Sequence, residues 1–210
     1  MKKLWMIVIA AALFISCNKE EGDKPITLPP DYANLKVGNY WIYQHFKIDT
    51  TGEETALDKY DSCYVEKDTV INGKTFYKMI RPRAIYSKYV YLWRDSSGYI
   101  VNTSGKIWFF AEDFTTVFDT TYAFGAGDTT YVATSRMVDK DKVVTTPAGD
   151  FVTRTYQIRY DLEEWLTPYS PRFSNMRFTK DIGIVSETLD IYALNPFYTE
   201  RRLVRYGSNK

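Results

Sequence analysis

Thiol and imidazole side chains are almost absent from this sequence, which has two cysteines and one histidine in 210 residues. A zinc site takes several Cys or His ligands, and a nucleophilic triad needs a histidine with two partners. His45 alone cannot build a His-rich metal site, and Cys63 lies beside Val65 in a strand-like segment, which favours a buried, inert thiol. We therefore predict no metal, no cofactor and no catalytic constellation.

An excess of charge of one sign is also missing. Lys and Arg number 27 and Asp and Glu number 26, which gives a formal net charge of +1. Without Lys2 and Lys3 the side-chain charge is −1, because 25 basic residues then face 26 acidic ones. Nucleic-acid binding depends on a basic patch or stripe, so the composition argues against a nucleic-acid partner.

The longest apolar segment, residues 4–15, is too short for a membrane span, which takes about 20 residues. It follows the basic pair Lys2-Lys3 and ends at Ser16-Cys17. A basic start, an apolar stretch and a small residue before Cys are typical of a lipoprotein signal peptide. We predict that residues 1–16 are this signal peptide and that Cys17 carries the lipid anchor.

Residues 17–30 are polar and proline-rich, which predicts a flexible tether before a single β domain at residues 31–210. Glu20 and Glu21 closely follow the lipidated Cys and resemble the export signal of bacteroidete-type surface lipoproteins. The expected location is the outer membrane, with a lipid anchor and the domain on the cell surface. The periplasmic face is the alternative.

Helical periodicity is missing from residue 40 onward, where apolar and polar residues alternate with period two. About a dozen short segments show this alternation, and turn signals such as Asn72-Gly73 separate them. The connections are too short for the crossover helices of a parallel sheet. The predicted fold class is all-β: an antiparallel meander that forms a barrel or a curved half-barrel, with little helix.

Two segments give more detailed predictions. Residues 151–160 alternate, with Thr153, Thr155, Gln157 and Arg159 expected to face outward. The residues expected to face the core are Val152, Tyr156, Ile158 and Tyr160. Residues 85–93 are apolar on both faces, so we predict a central strand that is covered on both sides, since a strand with one solvated face should alternate.

Aromatic residues make up 17% of the sequence and include 18 tyrosines. Such residues favour strands, and they also line apolar pockets and contact ligands. We expect a non-catalytic lipoprotein whose curved sheet binds an apolar or lipid-like ligand. The alternative is a surface interaction protein that binds glycan or a partner protein through exposed aromatic rings.

A hydrolase is the weakest alternative. The acidic pairs Glu112-Asp113 and Glu163-Glu164 stand near aromatic residues. A glycosidase needs two carboxylates that face each other across a cleft, whereas neighbouring residues on a strand point to opposite faces. Neither pair therefore forms a catalytic dyad by itself.

Four Asp-Thr segments match the pattern of bacteroidete-type O-glycosylation, in which Asp is followed by Thr or Ser and then by Thr or an aliphatic residue. Glycosylation is surface chemistry, so each predicted site requires an exposed hydroxyl. The predicted sites are Thr50, Thr69, Thr120 and Thr129.

Residues 32–43 read YANLKVGNYWIY, residues 146–151 read TPAGDF and residues 181–185 read DIGIV. In this order and spacing they resemble a group of uncharacterised secreted bacteroidete-type lipoproteins with the patterns PLkvGnyWvY, tPAGtF and gvGlV. Residues 203–206 resemble the closing strand of that group, and Asn34 stands where the group has Pro. The resemblance implies a curved antiparallel sheet like those of periplasmic lipoprotein carriers, and it implies no activity.

Overall fold

The computed structural model describes residues 30–83, 88–125, 128–163, 168–189 and 196–209. In these ranges the chain forms thirteen β-strands and no helix. No helix within them is therefore long and apolar enough to cross a membrane. The strands are β1 (Asn39–Ile48), β2 (Glu54–Ile71), β3 (Lys74–Ile80), β4 (Val90–Ser96), β5 (Tyr99–Asn102), β6 (Ile107–Phe110), β7 (Asp119–Gly125), β8 (Asp128–Met137), β9 (Lys142–Thr146), β10 (Gly149–Leu162), β11 (Arg172–Thr179), β12 (Gly183–Thr188) and β13 (Tyr198–Ser208).

The strands pair antiparallel, mostly with their neighbours in the chain. The order across the sheet is β6-β5-β4-β3-β2-β1-β13-β12-β11-β10-β8-β7, and β9 pairs with β10 alone. The pairing of β1 with β13 joins the first strand to the last, from Asn39↔Ser208 to Ile48↔Tyr198. The predicted all-β antiparallel meander is confirmed.

The sheet curls into a nearly closed barrel. Its edge strands are β6 and β7, and side chains bridge the gap between β6 and the opposite strands β7, β8 and β10, which we call the seam. Trp108 on β6 lies 6.0 Å from Tyr156 on β10, measured between ring centroids. The Lys106 ammonium lies 2.6 Å from the carboxylate of Asp119 at the start of β7. In the described part of the chain, side chains rather than a backbone ladder therefore close the seam.

Aromatic rings fill the barrel interior. The centroid of Trp93 lies 4.9 Å from that of Tyr91 and 5.6 Å from that of Trp108. Phe109 packs on Phe178 at 4.4 Å. Burial of one such side chain stabilises a fold by about 1.5–3 kcal/mol. Apolar burial of this extent explains how the domain can fold although its described cysteine, Cys63, is free.

Two of the sequence segments that carry the resemblance contact each other in the core. The Trp41 indole N–H donates to the Ile182 carbonyl at 2.7 Å, and the Tyr43 hydroxyl donates to the Ile184 carbonyl at 2.7 Å. Gly183 lies between these two acceptors with φ +99°, and a Cβ there would lie 3.5 Å from the Trp41 ring. The positive φ therefore favours glycine at this position, whereas the 3.5 Å separation from the indole is an ordinary contact that a Cβ could make.

β10 follows its predicted alternation only in part. Tyr156 is buried and Ile158 packs against the core, as predicted. Val152, however, is 58% exposed while Thr153 and Thr155 are fully buried, so the prediction is wrong for these three. For Val152 and Thr153 the reason is that β10 pairs with β9 over residues 149–153 and with β11 only from Arg154 onward, so its first part follows a hairpin outside the main sheet. Thr155 lies in the main ladder, and its backbone bonds the segment after β8, at Val138 and Asp139.

β4 corrects the prediction for residues 85–93, of which residues 85–87 lie outside the described ranges. Tyr91 and Trp93 are buried in the interior, whereas Val90 is 45% exposed and Leu92 is half-buried. The second face is thus open to solvent, and the prediction that both faces are covered is wrong. A single curled sheet buries its inner face, and the bulky residues on its outer face stay in contact with water.

Candidate functional site

Buried charges gather inside the barrel. Glu187 accepts hydrogen bonds from Arg81 at 2.5 Å and from Arg201 at 2.6 and 3.0 Å. A further nitrogen of Arg201 donates to Asp61 at 3.0 Å, and Asp61 lies 2.8 Å from Nε2 of His45. We call these five side chains the interior ion cluster. Strand register explains part of it, since His45 is directly opposite Arg201 and Arg201 is directly opposite Glu187.

The electrostatics of the interior ion cluster keep its carboxylates ionised. Burial alone would raise the pKa of Glu187, but the charges of Arg201 and Arg81 outweigh it and lower the pKa to about 2. Burial likewise opposes ionisation of Asp61, whose pKa is lowered by the hydrogen bond to His45 and by the charge of Arg201. Both carboxylates are therefore ionised and bonded to guanidinium partners, and the cluster is suited to stabilising the fold.

The remaining residues considered from the sequence have local contacts. Cys63 is fully buried, as predicted, and burial raises the pKa of its thiol. Glu112 is bound by Arg154 at 2.6 Å. Asp113 Oδ1 accepts the backbone N–H of Thr115 at 2.9 Å. Across the described ranges, no three His, Cys, Asp or Glu side chains are grouped as metal ligands.

The outer face of β8, β10 and β11 presents an ordered set of polar side chains around one aromatic ring. Register places Gln157 directly between Arg136 and Asn175, and Arg159 directly between Thr134 and Phe173. Directly paired residues share a face of the sheet. These six residues form a block of two rows across three strands, which we call the outer grid.

Contacts within the outer grid orient its side chains. The Gln157 amide donates to the Asn175 carbonyl oxygen at 3.0 Å, which fixes both amides side by side. Arg159 is held by Asp161, with Nε at 2.9 Å and a terminal nitrogen at 2.7 Å from the same oxygen. Phe173 is 41% exposed. The grid therefore offers a solvent-facing ring beside planar hydrogen-bonding groups.

A cleft lies over the outer grid. It consists of two depressions of about 590 and about 420 Å³, and Gln157 and Phe173 line both of them. The larger one reaches Tyr169 and Thr50, and the smaller one reaches Arg136. The Phe173 ring thus stands at the centre of an extended cleft whose walls are mostly polar.

A tight turn forms one rim of the cleft. Asp49 Oδ1 accepts the backbone N–H of Thr51 at 2.8 Å and that of Glu53 at 2.9 Å. A hydrogen bond from the Thr51 side chain lowers the pKa of Asp49. The turn exposes Thr50 at the cleft. A sugar attached to Thr50 and a ligand in the cleft would therefore compete for the same space.

The other predicted modification sites differ in position. Thr120 is exposed near the start of the edge strand β7, and Thr69 is half-buried in β2. Thr129 belongs to β8, but its side chain lies outside what the structure describes, as does Cys17. Glycosylation at these positions and lipidation at Cys17 stay predictions.

No protein-family model and no curated protein matches this chain. Two solved structures are similar to it. One is a candidate exported protein with a YmcC-like fold from Bacteroides fragilis, with a TM-score of 0.47 and 12% identity over 86% of this chain and 100% of that one. The other is a candidate lipoprotein from Parabacteroides distasonis, with a TM-score of 0.47 and 13% identity over 85% of this chain and 99% of that one.

Proposed function

We propose that this chain is an outer-membrane lipoprotein whose domain stands on the cell surface and binds glycan in the cleft over the outer grid. The observation that carries the proposal is Phe173, an exposed ring that lines both depressions of a cleft whose walls are mostly polar. An aromatic face can pack on the apolar C–H face of a sugar. The amides and guanidinium groups beside it can bond the hydroxyls around the edge of the sugar.

The dimensions of the outer grid suit a short stretch of polysaccharide. Neighbouring strands lie about 4.8 Å apart and residues two apart on a strand about 6.8 Å apart, so the grid covers roughly 10 by 7 Å. This area matches a disaccharide lying flat. A depression with mostly polar walls and a few aromatic rings fits a glycan better than a partner protein, whose interface centres are depleted in charge.

An apolar or lipid-like ligand inside the barrel is the other candidate from the sequence. Trp41, Trp93 and Tyr156 are at most 2% exposed, and they occupy the interior that such a ligand would need. This packing favours the outer cleft over the interior as the binding site.

Substitution of Phe173 tests the glycan site. We expect Phe173→Ala to weaken glycan binding at least about tenfold, which corresponds to about 1.4 kcal/mol, because the stacking surface is lost. The measurement is calorimetric titration of the full-length protein in detergent with a panel of polysaccharides. Tyr206→Ala removes a ring of similar exposure, 46%, that does not line the cleft, and it should leave the affinity unchanged. Equal affinities in wild type and Phe173→Ala would refute the site.

The lipid anchor has its own test. We expect Cys17→Ser to yield an unprocessed precursor without acyl-glycerol, because only the thiol accepts the lipid. Labelled palmitate and membrane fractionation of cells measure this. Cys63→Ser is the control and should be labelled normally. Lipid-labelled mature protein in the Cys17→Ser strain would show the anchor assignment to be wrong.

A further inference from the structure

The arginines that line the cleft differ in their contacts. Arg159 is held by Asp161. Arg172 is buried and donates to the Phe197 carbonyl at 3.3 Å. Arg136 is exposed, and it has no hydrogen bond or ion pair to any residue that the structure describes. Its guanidinium group is therefore the one of the three that is available to a ligand.

Arg136 lies where its guanidinium group can reach a ligand in the cleft. It lines the smaller depression together with Phe173, directly opposite Gln157 on the neighbouring strand. The charged residues of that depression are Arg136, Arg159 and Asp161. Because Arg159 and Asp161 neutralise each other, the net charge left in the depression is positive and belongs to Arg136.

We propose that the cleft selects anionic glycans, and that Arg136 binds their carboxylate or sulfate group while a sugar ring packs on Phe173. The inference rests on the proposed glycan function and names its ligand class. A guanidinium group presents a rigid fork of N–H donors that matches two oxygens of a carboxylate or sulfate, and it offers no acceptor to a neutral hydroxyl. Charge-assisted bonds of this kind are about twice as strong as neutral ones.

The spacing within the outer grid allows both contacts at once. Arg136 and Phe173 stand two strands and one row apart, which is about 12 Å between backbones from ordinary strand spacings. An extended arginine side chain and one sugar ring together bridge that separation. Gln157 lies between them, where it can bond a hydroxyl of the same sugar.

The test uses polysaccharides in pairs that differ only in charge, with full-length protein in detergent. Polygalacturonate is compared with its methyl ester, and dextran sulfate with dextran, so the two arms separate carboxylate from sulfate recognition. We expect at least one charged polymer to bind at least tenfold more tightly than its neutral partner. This preference should shrink as salt is raised, because the interaction is ionic and exposed.

Two variants test whether Arg136 gives the preference for charged polymers. Arg136→Gln should remove the preference for the charged polymer and retain the affinity for the neutral one. Arg205→Gln changes another exposed arginine, on β13 and outside the cleft, and should retain the preference. A preference that survives in Arg136→Gln would overturn the role of Arg136.

The remaining outcomes separate this inference from the proposed function. Equal binding of charged and neutral polymers that is lost in Phe173→Ala would overturn the anionic selectivity and support the glycan site. Absence of binding to every polymer of the panel would overturn both.

Discussion

Glu187→Gln is expected to destabilise the domain by about 3–5 kcal/mol, the usual cost of removing one partner of a buried ion pair. The side chain of Glu187 is 5% exposed and is the counterion of both Arg81 and Arg201, each 1% exposed. Without it, Arg201 keeps the charge of Asp61, but Arg81 keeps no ion-pair partner among the described residues. Since domains are stable by about 5–15 kcal/mol in total, urea unfolding should show a much lower midpoint.

Glu54→Gln is the matched control for this experiment. Glu54 also binds an arginine at short range, with its two oxygens 2.5 and 2.6 Å from Arg202. Its side chain is 46% exposed, however, and exposed pairs are worth about 0–1 kcal/mol. Equal losses of stability in the two variants would contradict the role assigned to burial.

The domain is also expected to lose stability as the pH falls from about 4.5 to about 2. The pKa of Glu187 is lowered in the folded state from an ordinary 4.5 to about 2. In this pH window the unfolded chain therefore binds a proton that the folded chain does not bind, so acid favours unfolding. This pKa shift corresponds to about 3 kcal/mol of folding stability, which is fully present above pH 4.5 and is lost as the pH falls to about 2. Asp61 acts in the same direction.

Denaturant unfolding at a series of pH values between about 7 and 2 measures this loss. Wild type should lose stability steeply within the window. Glu187→Gln should lose about 3 kcal/mol less across it, because the variant has no carboxylate at this position. Identical pH profiles for the two proteins would show that another group controls acid unfolding.

At the interior ion cluster, strand alternation and residue polarity give opposite predictions of burial. Arg81 stands two residues after Met79, and Glu187 stands two residues after Val185, so each shares the face of a buried apolar residue. Continued alternation from Met79 and Val185 would put these charges inside, whereas the ordinary preference of charged residues for water would put them outside. The sequence signal was present, but only the structure supplies the counterions that make burial acceptable.

For the cleft, strand alternation predicted the outward face of two residues but not the site that they form. Gln157 and Arg159 were expected to face outward from the alternation of residues 151–160, and both line the cleft. The partners of Gln157, Arg136 and Asn175, come from other strands, and a shift of register by one residue would turn either of them to the other face. Register depends on bulges and turns throughout the sheet, so local patterns predicted the face and not the site.

The seam has a consequence for motion. Most strands are held by ladders on both sides, but β6 has only four residues, Ile107–Phe110, and is paired on one side. Separating β6 from the far edge breaks side-chain contacts, namely Trp108–Tyr156, Phe109–Phe178 and Lys106–Asp119, and leaves every backbone ladder intact. Local unfolding should therefore begin here, at a free energy well below that of global unfolding. In hydrogen exchange, the amide protons of β6 would be replaced by solvent deuterium long before those of β1 and β13.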